Sequence, residues 1–566
     1  MHRAFREHDL RPVTDLAGFW EFDFLGEVEP DDLNVKHLRF GNRMTVPGCF
    51  DTTPAYAGRR GLVAYRGQVR ISAACPHRLV LDGVHHWCRI FVNGRAVRDH
   101  AGGFTRFAAD FVPDRVGECE IIIFVDNRFN YRRSPLHMEY YDWYHYGGIA
   151  RGAELHQLGP LWIESVRVTT TDLQSRTVRL QIDYRCEQDS LTTPLRVTCD
   201  GRDVLHETAS LAGPTGALER TLQLPHASLW SPAAPNLHVF HVELGGDDIR
   251  TRIGLRQVKV DGRQILINDE PVRLLGMCRH EAHPHFGHTQ PLPLLLSDMQ
   301  SMLDLGCNFV RGTHYPQDER FLDLCDETGV CVWCEGNGWG NRVEHLEDPH
   351  FVQAELTCLD EMVSAAFNHP SVILWGAINE AQTNDARSRP AFEAFLNCLR
   401  TLDPSRPVTY ASCFPLDDVC FDLADIISVN TYPGWYHSTI EEIGEHLEKV
   451  YSRINSIGLG DRPLIISEIG AGAIYNWRDS HEARWSEQYQ AKLLERVISA
   501  LFQEANRATG LSIWQFCDIR TSEMIPLALG RPKGFNNKGI VDEYRRPKLA
   551  YDTVRRLYHS LRVQDS

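Results

Sequence analysis

From about residue 260 onward, eight short apolar runs alternate with amphipathic stretches, and this alternation restricts the fold more than any other feature of the chain. The runs are Val272–Met277, Asn308–Arg311, Val330–Glu335, Ser371–Ile378, Pro407–Ala411, Asp425–Asn430, Pro463–Glu468 and Leu511–Phe516. Between them, Leu292–Leu305, Asp318–Glu327, Gln353–Phe367, Ala391–Leu402, Glu441–Ile454 and Trp485–Gln503 repeat apolar residues at helical spacing. Strand followed by helix, repeated, builds a parallel sheet that needs cover on both faces. Eight such units in about 300 residues predict a (β/α)8 TIM barrel, whose reactive groups lie at the C-terminal strand ends.

The residues before the barrel follow a different grammar. Short runs such as His77–Asp82, His86–Val92 and Glu118–Val125 are split by Gly, Pro, Asn and Asp turns, with Asn93-Gly94 marking a hairpin. The pattern continues with fewer aromatics through Ile163–Thr169, Thr177–Tyr184, Leu195–Thr198 and Val239–Leu244. Neither stretch has a long helical period, so two all-β modules are expected. At 566 residues there is room for three to four domains.

Charge and hydropathy exclude several classes of function. The net charge of −16 argues against nucleic acid or an anionic membrane as the main partner. The longest apolar run, Ile121–Val125, falls far short of the roughly 20 residues a membrane span needs. The start, MHRAFREHDLRPV, has no apolar leader, so a cytoplasmic chain with its 16 cysteines reduced is expected. Phosphate-binding glycine loops and a G-x-S-x-G elbow are missing from the sequence.

The strand ends hold the chemistry. The second run closes on Arg311, with His314 just behind; the third closes on Glu335, the fourth on Asn379 and Glu380, and the sixth on Asn430. The seventh closes on Glu468, and the eighth carries Trp514, a candidate stacking platform for an apolar sugar face. Glu380 and Glu468 each follow an apolar strand and should face one cavity. Glycoside hydrolysis requires such a pair, one to protonate the leaving oxygen and one to attack or to activate water. Cys331 and Cys334 invite a metal reading, but residues three apart on a strand face opposite ways, so no metal is expected.

Several segments in order resemble glycoside hydrolase family 2. HPSVILWGAINEAQ (His369–Gln382) resembles its acid/base motif, RPLIISEIGAGA (Arg462–Ala473) its nucleophile segment, and NFVRGTHYP (Asn308–Pro316) another of its signatures. FWEFDF, IFVNGRAV, GGFTRF and YGGIAR are similar to its N-terminal jelly-roll sugar-binding domain. LWSPAAPNLH and GLRQVKVDGRQILINDEPVRLLG are similar to its immunoglobulin-like domain and the junction with the barrel. The resemblance implies a jelly-roll over 1–159, an immunoglobulin-like β-sandwich over 160–257 and a catalytic barrel over 258–566. It implies Glu380 as acid/base and Glu468 as nucleophile, with Arg311, Asn379 and Tyr432 holding the nucleophile ionised and gripping the sugar 2-hydroxyl. It also implies no cofactor and a homo-oligomer. RHEAHP at the first barrel loop matches the family too, so His280, His283, His285 and His288 are expected to line the sugar site.

Within the family the chain is most similar to β-glucuronidases. GFNNKGIVDEYRRPK (Gly534–Lys548) contains Asn536 and Lys538, similar to the Asn-x-Lys pair those enzymes use on the uronate carboxylate. An ammonium and an amide make charge-assisted hydrogen bonds to a carboxylate, whereas a neutral sugar would leave the lysine unpaired. The segment Asn430–Tyr436 is also similar, which implies that Tyr432 bonds the nucleophile and Tyr436 reaches a ring hydroxyl. Asp142 resembles the aspartate a jelly-roll loop sends into the sugar pocket. Two departures stand out. Pro532, between Arg531 and Lys533, replaces the expected arginine, and the third strand ends WCEGNGWGNR, where Arg342 would meet an axial O4. The expectation is an exo-acting retaining β-glucuronidase taking uronic acid glycosides. The alternatives are a β-galacturonidase or β-galactosidase of the same family, or a carbohydrate-binding protein without catalysis.

Overall fold

The computed structural model describes residues 3–131, 133, 141–504, 507–522 and 530–565. In the first 160 residues a six-stranded antiparallel sheet faces a four-stranded one, and side chains from both, including Trp20, Phe22, Leu79, Ile90 and Ile123, bury one apolar core between them. Strands Trp87–Val92 and Arg95–Ala101 pair across Asn93 (φ +48°) and Gly94 (φ +79°), the left-handed pair a two-residue hairpin needs. A second pair of sheets, three- and four-stranded, follows from Leu161 to Ile253 around Ile163, Leu180, Val197 and Phe240. The alternation of buried and exposed residues in Thr177–Cys186 is the period-2 signature of strands with one covered face.

Eight parallel strands then close a barrel: β1 Leu274–Arg279, β2 Phe309–Gly312, β3 Cys331–Trp339, β4 Val372–Asn379, β5 Val408–Ser412, β6 Ile427–Asn430, β7 Leu464–Ile469 and β8 Gly510–Ile513. Each lies within a few residues of its expected run. The strands are buried end to end because helices cover their outer face and side chains fill the interior. β3 extends furthest, through a register shift between Glu335 and Gly338, and carries Trp339 to the barrel mouth. Cys331 packs with Trp333 and Phe309 and Cys334 in a different apolar cluster, so the two thiols diverge. The sequence pattern missed the terminal helix Leu549–Asp565, which buries Val554, Leu557, Tyr558 and Leu561. It follows β8 only after a long loop, so the strand–helix alternation offered no place for it. No helix among the described residues is long and apolar enough to cross a membrane.

The N-terminal sheets dock on the barrel through a buried ion pair, Arg151 Nη2 to Glu281 Oε2 at 2.8 Å, and through a column of buried histidines. His85 lies 5.0 Å from His86 and 4.8 Å from His288, His86 lies 5.0 Å from His145, and His280 lies 5.4 Å from His314. Burial, reinforced by neighbouring histidines or arginines, holds all six below the ordinary imidazole range. Neutral when folded, they take up protons on unfolding. Their contribution is therefore complete above an unfolded value near pH 6.5 and shrinks as pH falls below it. Each costs about 1.4 kcal/mol of stability per pH unit over that range. Acid is expected to lower the melting temperature steeply between pH 6.5 and 5. A transition independent of pH there, read by circular dichroism, would show that the column plays no such part.

Candidate active site

A cavity of about 300 Å³ opens at the C-terminal end of the barrel, and Glu380 and Glu468 both line it. Glu468 sits on β7. Its Oε1 accepts from Arg311 Nη1 (2.9 Å) and its Oε2 from the Tyr432 hydroxyl (2.6 Å). Glu380 leaves β4 with φ +51°, a left-handed conformation that costs a non-glycine residue about 1–3 kcal/mol and is characteristic of functional positions. The hydrogen bond from its N–H to Ala411 O (2.8 Å) holds that turn, and Asn430 Nδ2 donates to its Oε1 (2.9 Å).

Electrostatics separate the two acids. Burial, then the charge of Glu468, pushes Glu380 up to about 8. Glu468 is also raised by burial, but Arg311 and Tyr432 oppose the shift. One carboxyl can thus stay protonated at neutral pH beside an ionised partner, the division of labour that acid catalysis and nucleophilic attack require. Tyr432 keeps its proton, since burial and then the two glutamates hold it well above the usual phenol range.

Arg311 is wholly buried beneath the pair. It donates to Glu335 from Nε (3.0 Å) and Nη2 (2.8 Å), and to Asn379 Oδ1 from Nη2 (2.7 Å). Asn430 Nδ2 donates to the same Asn379 oxygen (3.0 Å), which leaves Asn379 Nδ2 a buried donor with no protein partner. His314 and Glu335 share a hydrogen bond at 3.0 Å, and the His314 ring stacks on Trp514 (centroids 5.1 Å apart, 15° between planes). Both rings line the cavity.

At the other end are Asp142, Tyr436 and Lys538. The Lys538 backbone is pinned: its carbonyl accepts from Gln515 N (3.0 Å), and neighbouring Asn537 O accepts from Lys548, itself buried on Asp518 at 2.7 Å. Its ammonium donates to the Tyr436 hydroxyl (2.9 Å) and lies 5.7 Å from the Tyr432 ring centroid. Lys538 is 2% exposed, and among the described residues it has no carboxylate within ion-pair distance. Asp142 is held by Arg531 through Nε (2.8 Å) and Nη2 (2.6 Å), and by Asn536 Nδ2 (2.9 Å).

The structure therefore brings Asp142, His314, Glu380, Tyr432, Tyr436, Glu468, Trp514 and Lys538 to the cavity wall, with Arg311, Asn379 and Asn536 directly behind it. Arg531, one place early in sequence, still reaches the site because its guanidinium turns onto Asp142. Arg342 does not: it is exposed at the start of the short helix Val343–Leu346 and lines no part of the cavity. Of the four loop histidines only His280 is close, edge-on to Trp514 at 5.4 Å. His283 and His285 instead pack with Phe286 and Tyr544 at the rim, and His288 lies under Phe104. Asn430 and Glu335 were visible as strand ends, though nothing local in the sequence revealed their partners. Trp143 and Cys413 arrive from loops and Trp339 from the far end of β3, and none of them gave a signal.

Comparison with known proteins adds independent observations. A family description, glycosyl hydrolases family 2, TIM barrel domain, matches residues 258–563, and a second, glycosyl hydrolases family 2, matches residues 162–256. The chain is 28% identical to a β-glucuronidase of Paenibacillus borealis, over 96% of each chain. It is 34% identical to a β-galacturonidase of Eisenbergiella tayi whose structure was solved with galacturonate, covering 99% of each chain with a TM-score of 0.92. The β-D-glucuronidase of Dictyoglomus thermophilum superposes with a TM-score of 0.83 at 27% identity, over 97% of each chain.

Proposed function

The chain belongs to glycosyl hydrolases family 2, and from that premise we propose that it is a retaining exo-β-hexuronidase, releasing a terminal uronic acid from β-D-glucuronides. The observation that carries the uronate assignment is Lys538, a buried ammonium lining the carboxylate-pair cavity without an acidic partner among the described residues. Burying a charge is costly unless something neutralises it, and a C6 carboxylate does so while a neutral hexose cannot. Asn536 stands beside it, one bond from Asp142.

Glu468 attacks the anomeric carbon while Glu380 gives its proton to the glycosidic oxygen, and the aglycone departs as an alcohol. Glu380, now ionised, takes a proton from water, which displaces Glu468 and frees the sugar with its β configuration. Arg311 and Tyr432 keep Glu468 ionised before attack. The free Nδ2 of Asn379 meets the 2-hydroxyl, where hydrogen bonds strengthen as charge builds on the ring.

The pH profile of kcat/KM is expected to be a bell. Glu380 must be protonated, so the rate falls as pH rises through about 8. Glu468 must be ionised and is also raised, so the acidic limb lies above the ordinary carboxylate range. A profile flat from pH 5 to 9 with chemistry rate-limiting would contradict both roles.

A second reading, β-D-galacturonide as the sugar, is favoured by one observation: the greater likeness to the E. tayi β-galacturonidase. Glucuronide and galacturonide differ only at C4. Comparing kcat/KM on nitrophenyl β-glucuronide, β-galacturonide and β-galactoside decides the matter. The better of the two uronides identifies the sugar, and preference for the galactoside would refute the uronate assignment.

A further inference from the structure

A second cavity, of about 260 Å³, lies at the opposite end of the barrel, where the second pair of sheets, the linker after Ile253 and the barrel floor meet. Three cations, Arg256, Lys259 and Arg406, line it, and among the described residues no carboxylate does, in a chain whose net charge is −16. Arg406 is satisfied: it pairs with Asp403 and donates to Val372 O (2.7 Å), Phe367 O (2.7 Å) and His369 O (3.0 Å). Arg256 is not. It is 7% exposed, donates from Nε to Pro370 O (3.1 Å) and from Nη2 to Val372 O (2.9 Å), and its Nη1 has no hydrogen-bond partner among the described residues.

No carboxylate lies within ion-pair distance of Arg256 among the described residues, since Asp403 is engaged by Arg406 and Asp326 by His369 and Ser371. Two buried guanidiniums thus share one carbonyl acceptor, and of the two nearby carboxylates Asp403 pairs with Arg406 while Asp326 acts on Arg256 only from beyond ion-pair distance. Burial, with Arg406 next, pushes Arg256 down to about 9. The Thr170 hydroxyl accepts from Arg256 N (3.2 Å), so its own proton is available to donate. Lys259 sits at the rim, half-exposed on Asp269 (2.8 Å).

We propose that this cavity is a binding site for a small doubly charged oxyanion, phosphate or sulfate in class, held by Arg256 Nη1, the Thr170 hydroxyl and the Lys259 ammonium. Arginine presents a planar fork of donors suited to oxyanions, and a buried cation lacking a carboxylate gains most from such a ligand. The anion ties the second pair of sheets to the barrel floor, far from the catalytic glutamates.

Isothermal titration calorimetry of the whole chain with sodium phosphate, sodium sulfate and sodium chloride at matched ionic strength tests this. Saturable binding of about one phosphate or sulfate per chain is expected, with none for chloride. Arg256→Gln is expected to weaken it about tenfold or more while leaving kcat/KM on a chromogenic uronide unchanged, and Lys259→Ala to weaken it several-fold. Lys538→Ala must leave it intact, which separates this cavity from the catalytic one. Should Arg256→Gln not fold, Arg256→Lys, which loses the fork, and Lys259→Ala carry the decision. Absence of saturable binding in the unaltered protein, or binding sensitive to Lys538→Ala but not to these variants, would overturn the proposal.

Discussion

Glu468→Gln is expected to lower kcat on a chromogenic uronide by about four orders of magnitude or more. The amide preserves volume and can still meet Arg311 and Tyr432, so little besides charge and nucleophilicity is lost. Without the carboxylate no covalent intermediate forms, and Glu380 also loses the neighbour that helps to hold it protonated. Azide sharpens the test. In Glu468→Ala it fills the space of the missing carboxylate and attacks directly, giving a uronosyl azide of inverted α configuration. In Glu380→Ala it intercepts the glycosyl-enzyme and gives the β azide. Residual turnover within a hundredfold of the unaltered enzyme, or azide products of the opposite configurations, would reassign the two roles.

Lys538→Ala is expected to lower kcat/KM for the uronide by about 10²-fold, roughly 3 kcal/mol, the upper range for a hydrogen bond to a charged group. The corresponding hexoside, which carries no carboxylate, should change less than about threefold. The contrast is clean because, among the described residues, the ammonium's one side-chain hydrogen bond is to the Tyr436 hydroxyl, and no buried acid there is stranded when it goes. Equal losses on both sugars would mean that Lys538 props up Tyr436 and does not read the carboxylate.

Legibility in the sequence followed the range of the interactions involved. Each barrel strand is a local run of apolar residues, and each run lay within a few residues of its observed strand. The carboxylates were equally legible because a strand end is a position along the chain, and the fold dictates where that position points. Contacts made across the chain were not. Asn430 bonds Glu380 fifty residues away and left no local trace, and Arg311 holding Glu468 from the far side of the barrel was legible only through the family resemblance. Arg342 illustrates the converse error. Counting from β3 suggested a residue over the sugar, yet the chain turns into the helix Val343–Leu346 just there and carries the guanidinium into solvent. Arg531 seemed displaced by one position, but its side chain is long enough to make up the difference.

Asp142 gives the pocket an electroneutrality condition. Among the described residues the corner holds two cations, Arg531 and Lys538, and one resident anion, Asp142, lent by a loop of the N-terminal region. An empty or hexose-filled corner carries one surplus positive charge, and a uronate cancels it. A barrel severed from the residues before 160 would face its substrate with two unbalanced cations, so the N-terminal sheets belong to the pocket as fully as the strands that bear the glutamates.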